Sequence, residues 1–353
     1  MRIWDERGPN KWIDLMTNDQ TKTQPKLKPK FYVGTVGMSV WFTEDLGETW
    51  TRPNSEYGMT NEARVWAIAS HPANPDFILA GTDHGLNRWD EREKRWSHVP
   101  TAMDGLQIWA LDYSPHDPNV LIAGVCPGAL YRSRDGGKTW ERLNVSMPVK
   151  CMYDVISRVT QVLFDPYDPD TIWASVEIDA LHRSRDGGDT WTRLNNGLTT
   201  DDVHGVAVTR ENGKRIVFAA VNRGIHRSED DGETFERVEM PTPWQYTRAV
   251  AIKPKEDGTI FVTNGEGPPG SWGRLFRSKD FGRSWTELDL PAERNSTLWT
   301  ISVNDFDPNL IFVCSNLGQI FRSDDGGDTW VKLKRELGEI RSAHWRPAPI
   351  YEV

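Results

Sequence analysis

The residues of this sequence that are best suited to catalysis lie in short polar segments between apolar runs. They are four carboxylates and one imidazole: Glu177, Asp179, Asp83, Glu266 and His204. Two carboxyl groups facing a bound sugar can act as acid and as base or nucleophile, and an apolar setting raises the pKa of the acid. We predict Glu177 as the proton donor, with Asp179 as the second choice. Because these two share one segment, their partner carboxylate is expected to be Asp83 or Glu266.

A second set of residues is suited to binding rather than to bond cleavage. It consists of His84, Arg64, Arg248, Arg341, Trp66, Trp109, Trp299 and Tyr246. Guanidinium groups bind carboxylates, and flat aromatic faces stack on sugar rings. The combination predicts a small polar or carbohydrate-like ligand. The alternative for the charged residues is a solvated loop, and for the tryptophans it is packing between sheets.

The usual motifs of nucleophilic, metal and phosphate chemistry are missing. The sequence has no Gly-x-Ser-x-Gly, no His-Glu-x-x-His and no Cys-x-x-Cys. Residues 136–139 (GGKT) lack the leading glycine of a phosphate loop, since Arg132 stands there. His84, Cys126 and His204 have no short ligand spacing, so neither a metal nor a cofactor is predicted. Whether the protein is an enzyme stays open.

Composition and charge restrict the remaining possibilities. The 353 residues are 37% hydrophobic and 26% charged, which suits a packed globular protein. A net charge of -9 without a Lys/Arg stripe argues against nucleic acid and anionic membranes as partners. Three cysteines and no apolar run typical of a signal peptide or membrane span lead us to expect a cytoplasmic protein.

An eight-residue motif predicts the elements that position the polar residues. Residues 133–140 (SRDGGKTW) return almost unchanged as residues 184–191 (SRDGGDTW). The frame occurs seven times, at residues 43–50, 89–96, 133–140, 184–191, 228–235, 278–285 and 323–330, with the copy at 89–96 eroded. The copies start 44 to 51 residues apart, the length of one four-stranded propeller blade. We therefore predict an all-β fold, a seven-bladed β-propeller with antiparallel blades.

Each motif is flanked by short apolar runs and is predicted to be the turn of a β-hairpin. Asp135 can accept backbone N–H bonds across this turn, and Gly137 can take a positive φ. We therefore expect the motif aspartates to be structural rather than ligand-binding. Upstream, Pro-rich phrases such as residues 71–81 and 114–124 predict the turn between the innermost and second strands.

The last strand of the chain is predicted to close the ring. Inner strands precede the last six motifs and end at Ser70, Ser114, Asp165, Thr209, Lys253 and Asn304. The first motif lacks one, and residues 340–347 have the same alternation and the same closing proline. The C-terminal strand should therefore pair near residues 31–35 and remove the free sheet edges. This divides the chain into an N-terminal extension (1–30), the propeller (31–347) and a tail (348–353).

The motifs and Pro turns resemble those of the Asp-box (BNR-repeat) propellers over roughly residues 31 to 347. This superfamily includes sialidases, sortilin-type receptors, xyloglucan-active glycosidases and photosystem II assembly factors of the Ycf48 type. The motif implies the architecture but no single activity. Sialidase chemistry would imply an early Arg-Ile-Pro signature, three arginines for a carboxylate and a Tyr/Glu nucleophile pair. The signature is absent, although Arg64, Arg248 and Arg341 could converge, with Tyr246 near one of them.

In such propellers the Asp boxes lie on one face, so a ligand is expected on the opposite face, at the mouth of the central channel. Aligned inner strands place seven residues in one ring near that mouth: Trp66, Trp109, Thr160, His204, Arg248, Trp299 and Arg341. A deeper ring is apolar: Ile68, Leu111, Val162, Val206, Val250, Ile301 and Ala343. Loops between second and third strands add Asp83, His84, Cys126, Glu177, Asp179, Asn222, Arg223, Asn316 and residues 264–273.

Two functions are compatible with this arrangement. One is an intracellular protein that binds a small polar or carbohydrate-like ligand at the central mouth, with glycosidase-like hydrolysis or lyase chemistry as an option. The other is a scaffold without catalysis that docks a protein partner. A deep central pocket would favour the ligand, and a plugged one would favour the scaffold.

Overall fold

The computed structural model describes residues 27–53, 55–149, 156–255 and 258–349. The described chain is almost entirely β-structure, with a single 3-10 turn at Ser55–Tyr57. The first strands are β1 (Leu27–Thr35), β2 (Val40–Thr43), β3 (Val65–Ser70), β4 (Phe77–Thr82), β5 (Gly85–Asp90), β6 (Arg95–Val99), β7 (Gln107–Tyr113), β8 (Leu121–Cys126), β9 (Ala129–Ser133) and β10 (Glu141–Arg142). They are followed by β11 (Arg158–Phe164), β12 (Ile172–Glu177), β13 (Ala180–Ser184), β14 (Thr192–Leu194), β15 (Val203–Glu211), β16 (Lys214–Val221), β17 (Gly224–Ser228) and β18 (Glu236–Val238). The last are β19 (Tyr246–Ile252), β20 (Ile260–Gly265), β21 (Gly273–Ser278), β22 (Thr286–Leu288), β23 (Leu298–Ser302), β24 (Ile311–Ser315), β25 (Ile320–Ser323), β26 (Val331–Lys332) and β27 (Ile340–Pro349).

The strands form seven antiparallel sheets, and this confirms the predicted seven-bladed propeller. Blades 2 to 7 are the consecutive groups β3–β6, β7–β10, β11–β14, β15–β18, β19–β22 and β23–β26. Blade 1 has the order β2-β1-β27, and a bridge between Phe42 and Thr51 stands in place of its outer strand. Each blade packs its apolar face against the next one, so the core is a ring of seven clusters between blades.

The C-terminal strand closes the ring as predicted. Strand β27 pairs with β1 in an antiparallel register that places Phe31 opposite Trp345. Trp345 is fully buried, and the ring of Phe31 stacks on Phe312 of blade 7 at 4.0 Å. The first and last strands are therefore held both by ladder hydrogen bonds and by the core between blades 7 and 1. Residues 1–26, most of the predicted extension, lie outside the described part of the chain.

The regular Asp boxes satisfy their own turns. In blade 4 the Asp186 carboxylate accepts bonds from Ser184 Oγ (2.7 Å), Thr190 N (2.8 Å) and Thr190 Oγ1 (2.6 Å). Gly188 takes a φ of 98°, which only glycine adopts without strain, and its carbonyl accepts a bond from the indole of Trp191. Hydrogen bonds to the ionised form hold the pKa of Asp186 at about 2. Both oxygens of this carboxylate accept hydrogen bonds that close the turn.

The boxes and the Pro turns lie on the same face of the propeller. In three blades a box amide donates to a carbonyl of the neighbouring Pro turn: Gly136 to Asn119, Gly187 to Asp170 and Gly326 to Asn309. We call this side the Pro-turn face. The opposite side, here called the loop face, carries the loops between second and third strands and the connections between blades. The predicted catalytic carboxylates belong to the loop face.

Candidate functional site

Every inner strand has a β-bulge at the same level. In each of the seven sheets the register between the inner and the second strand shifts, and one or two inner residues are left without a partner. The bulged residues are Trp66, Trp109, Thr160, His204, Arg248 with Ala249, Trp299 and Arg341. A bulge turns a side chain out of the regular alternation, and bulges are common beside functional sites. We call the ring of seven side chains at 66, 109, 160, 204, 248, 299 and 341 the belt.

The belt lines one end of a central cavity of about 1260 Å³. Below it lies the predicted apolar ring, of which six members line the cavity: Ile68, Leu111, Val162, Val250, Ile301 and Ala343. The lining continues to the Pro turns, where Pro72, Ala73, Lys255 and Asp305 are exposed. The cavity therefore opens on the Pro-turn face, opposite to the side on which the sequence suggested a mouth.

Stacked indole and guanidinium groups bring the belt together. Trp66 and Trp109 stack at 4.2 Å, and the Arg341 guanidinium lies over the rings of both Trp66 (5.8 Å) and Trp299 (4.7 Å). The Arg248 guanidinium also lies over the ring of Trp299, at 4.5 Å. Each contact joins two neighbouring blades. The tryptophans therefore pack between blades and at the same time position two cations at the cavity end.

Three polar members of the belt are held by backbone groups of a neighbouring blade. His204 Nδ1 lies 2.6 Å from the carbonyl oxygen of Thr247, and Arg248 Nη1 donates to the carbonyl of His204 at 3.1 Å. Thr160 Oγ1 donates to the carbonyl of Val203. These bonds account for the polar residues that interrupt the apolar rule on the inner strands. They also hold the cations in one orientation.

A second polar ring stands two residues before the belt, on the loop face. Its members, none of which lines the cavity, are Arg64, Gln107, Arg158, Asp202, Tyr246, Thr297 and Glu339. Asp202 lies 3.3 Å from His204 Nε2, and Glu339 forms an ion pair with Arg341. Burial raises the pKa of Tyr246 to about 12. This outer ring stands between the belt and the loop face, and its members range from the buried Thr297 to the exposed Arg64.

The first-choice catalytic carboxylate is engaged in an ion pair. Both oxygens of Glu177 bind the guanidinium of Arg158, which itself lies 4.4 Å from the ring of Trp109. Asp179 is buried between His182 Nε2 (3.0 Å) and Arg193 Nε (2.9 Å). Neither carboxylate lines the cavity. Their contacts are those of residues that brace loops and strands.

The other predicted loop residues are spread over the loop face. Asp83 accepts a bond from the amide of Arg64, and the His84 side chain is 79% exposed beside it. The Glu266 carboxylate binds Ser271 in its own loop, and these bonds lower its pKa. The raised pKa expected of a general acid is therefore absent from Glu266. Of the predicted catalytic residues, only His204 reaches the cavity.

Two residues that sequence reasoning missed have a place in this arrangement. Arg158 joins Arg248 and Arg341, and the three guanidiniums are close enough for repulsion to lower the pKa of Arg341, adding to burial. The sequence could have indicated Arg158 by its position two residues before Thr160. In a strand, side chains two residues apart lie on the same face of the sheet. Asp112 lines the cavity, and burial raises its pKa to about 7. Nothing in its local sequence indicates this burial.

The charged residues on the cavity wall are mostly positive, whereas the net charge of the chain is negative. Five basic residues line the cavity: Arg248, Arg341, Arg346, Lys253 and Lys255. One of them, Arg346, is paired with the buried Glu91 behind the wall. Only two described acidic residues, Asp112 and Asp305, do so. Glu339, which pairs with Arg341, and Asp202, which lies beside His204, stand behind the belt on the loop face. A cationic cavity in a protein of net charge -9 attracts anions.

Residues suited to a metal are not gathered in the described ranges. No group of three or more His, Cys, Asp or Glu side chains there could hold a metal ion. Nor does any helix in the same ranges have the length and apolarity to span a bilayer. The side chains that line the cavity include guanidiniums, ammonium groups and aromatic rings.

Family models match the repeats found in the sequence. Residues 131–142 match the BNR/Asp-box repeat, and residues 275–288 match the BNR-Asp box repeat. Residues 179–271 match a model described as Sortilin, neurotensin receptor 3. With seven blades of the expected topology, these matches define the class. The chain is a seven-bladed propeller built from Asp-box (BNR) repeats.

Relatives with different roles share this architecture. The chain is 22% identical to a probable oligoxyloglucan-reducing end-specific xyloglucanase of Neosartorya fischeri, over 85% of the chain and 44% of that protein. It is also 22% identical to the photosystem II assembly lipoprotein Ycf48 of a Synechococcus strain, over 84% of the chain and 80% of that protein. The chain thus spans less than half of the xyloglucanase but most of Ycf48.

Solved structures agree on the fold. A GH74 enzyme of Niastella koreensis superposes with a TM-score of 0.60 at 21% identity, over 76% of this chain and 45% of that one. Ycf48 bound to D1 peptide superposes with a TM-score of 0.56 at 14% identity, over 82% of this chain and 93% of that one. At such identities the similarity concerns the fold alone.

Proposed function

We propose that the protein binds a small anionic, carbohydrate-like ligand at the belt end of its central cavity. The observation that carries this proposal is the excess of basic side chains on the cavity wall of an acidic protein. Arg248 is the central residue, because it makes no ion pair with a carboxylate among the described residues. A carboxylate of the ligand supplies the missing partner, and the belt indoles offer apolar surface to a sugar ring.

Binding without hydrolysis is the activity that fits the carboxylates best. A retaining or inverting glycosidase needs two carboxyl groups that both face the substrate. Glu177 and Asp179 are bound to Arg158 and Arg193, and neither faces the cavity. Asp112 faces the cavity, but its carboxylate accepts the amide of Phe164 at 3.0 Å and so links blades 3 and 4. Among the described residues, the other acid that lines the cavity is Asp305, at the Pro-turn end.

The test compares two ligands that differ by one carboxylate. Isothermal titration with glucuronic acid and with glucose should show binding of the acid and much weaker binding of the neutral sugar. Replacing Arg248 by Gln should weaken binding of the acid by about 1.5 to 3 kcal/mol, the usual contribution of a hydrogen bond to a charged group. Arg223→Gln, an equal change of charge at an exposed position on the loop face, should leave it unchanged.

Other sugar acids, such as galacturonic acid and sialic acid, extend the same experiment. Equal binding of acid and neutral sugar, or full binding by the Arg248 variant, would rule out carboxylate recognition by the belt. Failure of every acid to bind would remove the proposal itself.

A protein-docking scaffold is the second candidate. It is favoured by the superposition that covers 93% of a Ycf48 chain bound to a peptide, whereas the GH74 enzyme is covered by less than half. Under this hypothesis the loop face is the docking surface and the cavity has no ligand. Co-purification of a stable protein partner, together with no response to any sugar acid, would support it.

A further inference from the structure

A pair of stacked tryptophans on the loop face of blade 6 is independent of the cavity. Trp244 precedes the inner strand β19, and Trp272 lies in the loop between β20 and β21. Their rings stack with centroids 5.8 Å apart at an angle of 26°. The Arg274 guanidinium lies 4.9 Å from the ring of Trp244. Trp272 is 43% exposed, while most other indoles of the described chain are buried or half-buried.

The long loop that carries Trp272 is held by specific bonds. Ser271, the residue before Trp272, donates its amide (2.9 Å) and its hydroxyl (2.6 Å) to Oε2 of Glu266. Thr297 of the next connection donates its amide to the carbonyl of Pro269 and its hydroxyl to that of Gly267. These bonds hold the exposed indole of Trp272 on a fixed loop, where its aromatic face can supply apolar contact area to a ligand. Its position therefore suits a binding role.

The base of the pair is fixed as well. Asn264 donates to the carbonyl oxygens of Trp244 (3.0 Å) and Tyr246 (3.1 Å). Arg274 is in turn paired with Glu287 at 2.5 Å. Because Trp244 is held in place, the indole of Trp272 that stacks on it presents a flat surface of defined orientation. Such preorganisation reduces the entropy lost when a ligand binds.

From these contacts we propose that Trp244 and Trp272 form a platform for one ring of a neutral sugar. The available apolar surface is one indole, whereas a stable protein interface buries about 800 Å² on each partner. The other exposed large apolar side chains, among them Leu317 and Phe306, belong to different loops. The size of the platform thus matches one pyranose ring, whose C–H groups pack on an aromatic face.

The charges around the platform select a neutral sugar over an acidic one. Bonds from Ser271 lower the pKa of Glu266, so this carboxylate is ionised at neutral pH. It accepts hydroxyl protons and repels a second carboxylate. Arg274 is paired with Glu287, and its guanidinium lies 4.9 Å from the ring of Trp244. The platform and the cationic cavity therefore differ in the charge of the ligand they accept.

The platform is tested with neutral oligosaccharides. Saturation-transfer NMR and isothermal titration with cellotetraose and xylotetraose should give a Kd near the millimolar range. Trp272→Ala should weaken binding by about tenfold, and Trp272→Phe should retain most of it, because a flat ring remains. Phe306→Ala removes an equally exposed aromatic residue from the Pro-turn face and should have no effect. Thermal unfolding of each variant controls for folding.

Three results would overturn the platform. One is no saturation transfer from any neutral oligosaccharide at about 10 mM, which is well above the expected Kd. Another is undiminished binding by Trp272→Ala. The third is binding of a proline-rich peptide through Trp272 while sugars fail, which would make the pair a peptide site. Arg248 takes no part in this experiment, so either outcome leaves the cavity proposal to its own test.

Discussion

The Asp box of blade 4 and its counterpart in blade 2 occupy the same turn but stabilise different parts of the molecule. In blade 4, the exposed Asp186 accepts its hydrogen bonds from residues of its own turn, among them Ser184 and Thr190. In blade 2, Glu91 stands at the equivalent position and is 1% exposed. Its carboxylate binds Lys30 Nζ (2.8 Å), Arg346 (3.2 Å) and the hydroxyl of Tyr32.

Besides Lys94 of its own turn, the partners of Glu91 come from both ends of the chain. Lys30 and Tyr32 belong to β1, and Arg346 belongs to β27. Burial by itself would raise the pKa of Glu91, but the charge and hydrogen bonds of Lys30, with those of Tyr32 and Arg346, lower it to about 2. The eroded box of blade 2 therefore binds both strands of the seam, the place in blade 1 where the first strand β1 pairs with the last strand β27. The comparison shows that one turn position can serve local closure in one blade and closure of the whole propeller in another.

Of the changes considered, deleting β27 should destabilise the closed ring the most. A protein lacking residues 340–353 loses the inner strand of blade 1 and the Arg346 partner of Glu91, and exposes the edge of β1. We expect aggregation or the loss of a cooperative urea transition. A protein lacking only residues 350–353, which lie outside the described ranges, is the control. Cooperative unfolding of the longer deletion at the parental midpoint would show that the strand does not close the ring.

Glu91→Ala should destabilise the protein by about 3 to 5 kcal/mol, because it removes the buried carboxylate that Lys30 and Arg346 share and leaves Lys30 with the more exposed Glu44 as its acidic partner. Urea unfolding measures the change. Glu91→Gln keeps the shape but not the charge and should fall between the parent and the alanine variant. A loss no larger than that of a box aspartate would mean that the seam does not depend on Glu91.

Asp186→Ala should cost about 1 kcal/mol, since the turn donors it leaves can bond to water at this exposed site. Because the box lies on the Pro-turn face away from the belt, ligand affinity should not change. The same unfolding and titration experiments test both statements. An Asp186 variant of full stability that no longer binds would give the box a functional role.

Asp112 should change the free energy of unfolding with pH in the opposite direction to the box aspartates, because its pKa is raised and theirs are lowered. Its folded pKa of about 7 lies above the ordinary value of 3.8, so between these values the folded state holds a proton that the unfolded state has lost. Stability from this group therefore decreases as pH rises through that window. Asp112→Asn should remove the decrease and gain stability relative to the parent toward the upper end of the window.

His226 and His344, whose pKa burial lowers to about 4, act in the opposite sense over part of the same range. They are common to both proteins, so the difference in unfolding free energy isolates Asp112. A parallel pH dependence of parent and Asn variant would contradict the raised pKa.

Much of the fold follows from the sequence because its signals are local. An Asp box needs only its own eight residues, and repetition at blade length then dictates the ring and the missing inner strand. The belt could be aligned for the same reason, since Trp66 and Arg341 keep a constant distance from the closing Pro turn. The partners of Glu91 could not be found this way. They depend on three strands that are distant in sequence and meet at the seam.

The loop carboxylates show where sequence reasoning reaches its limit. Asp83, Glu177 and Glu266 lie on the loop face in the structure, as their place after the second strands requires. Their side-chain partners, and the fact that the belt and outer ring separate them from the cavity, depend on side-chain packing. Pattern alone gave the correct face for these residues but not the face on which the cavity opens.

The most direct measurement is a crystal structure of the protein with a sugar acid that binds in titration. We predict density for the carboxylate on the cavity side of the belt, within hydrogen-bond distance of Arg248 and Arg341. Density on the loop face, among Asp83, Glu177 and Glu266, would contradict this account and restore the loop carboxylates as the binding site.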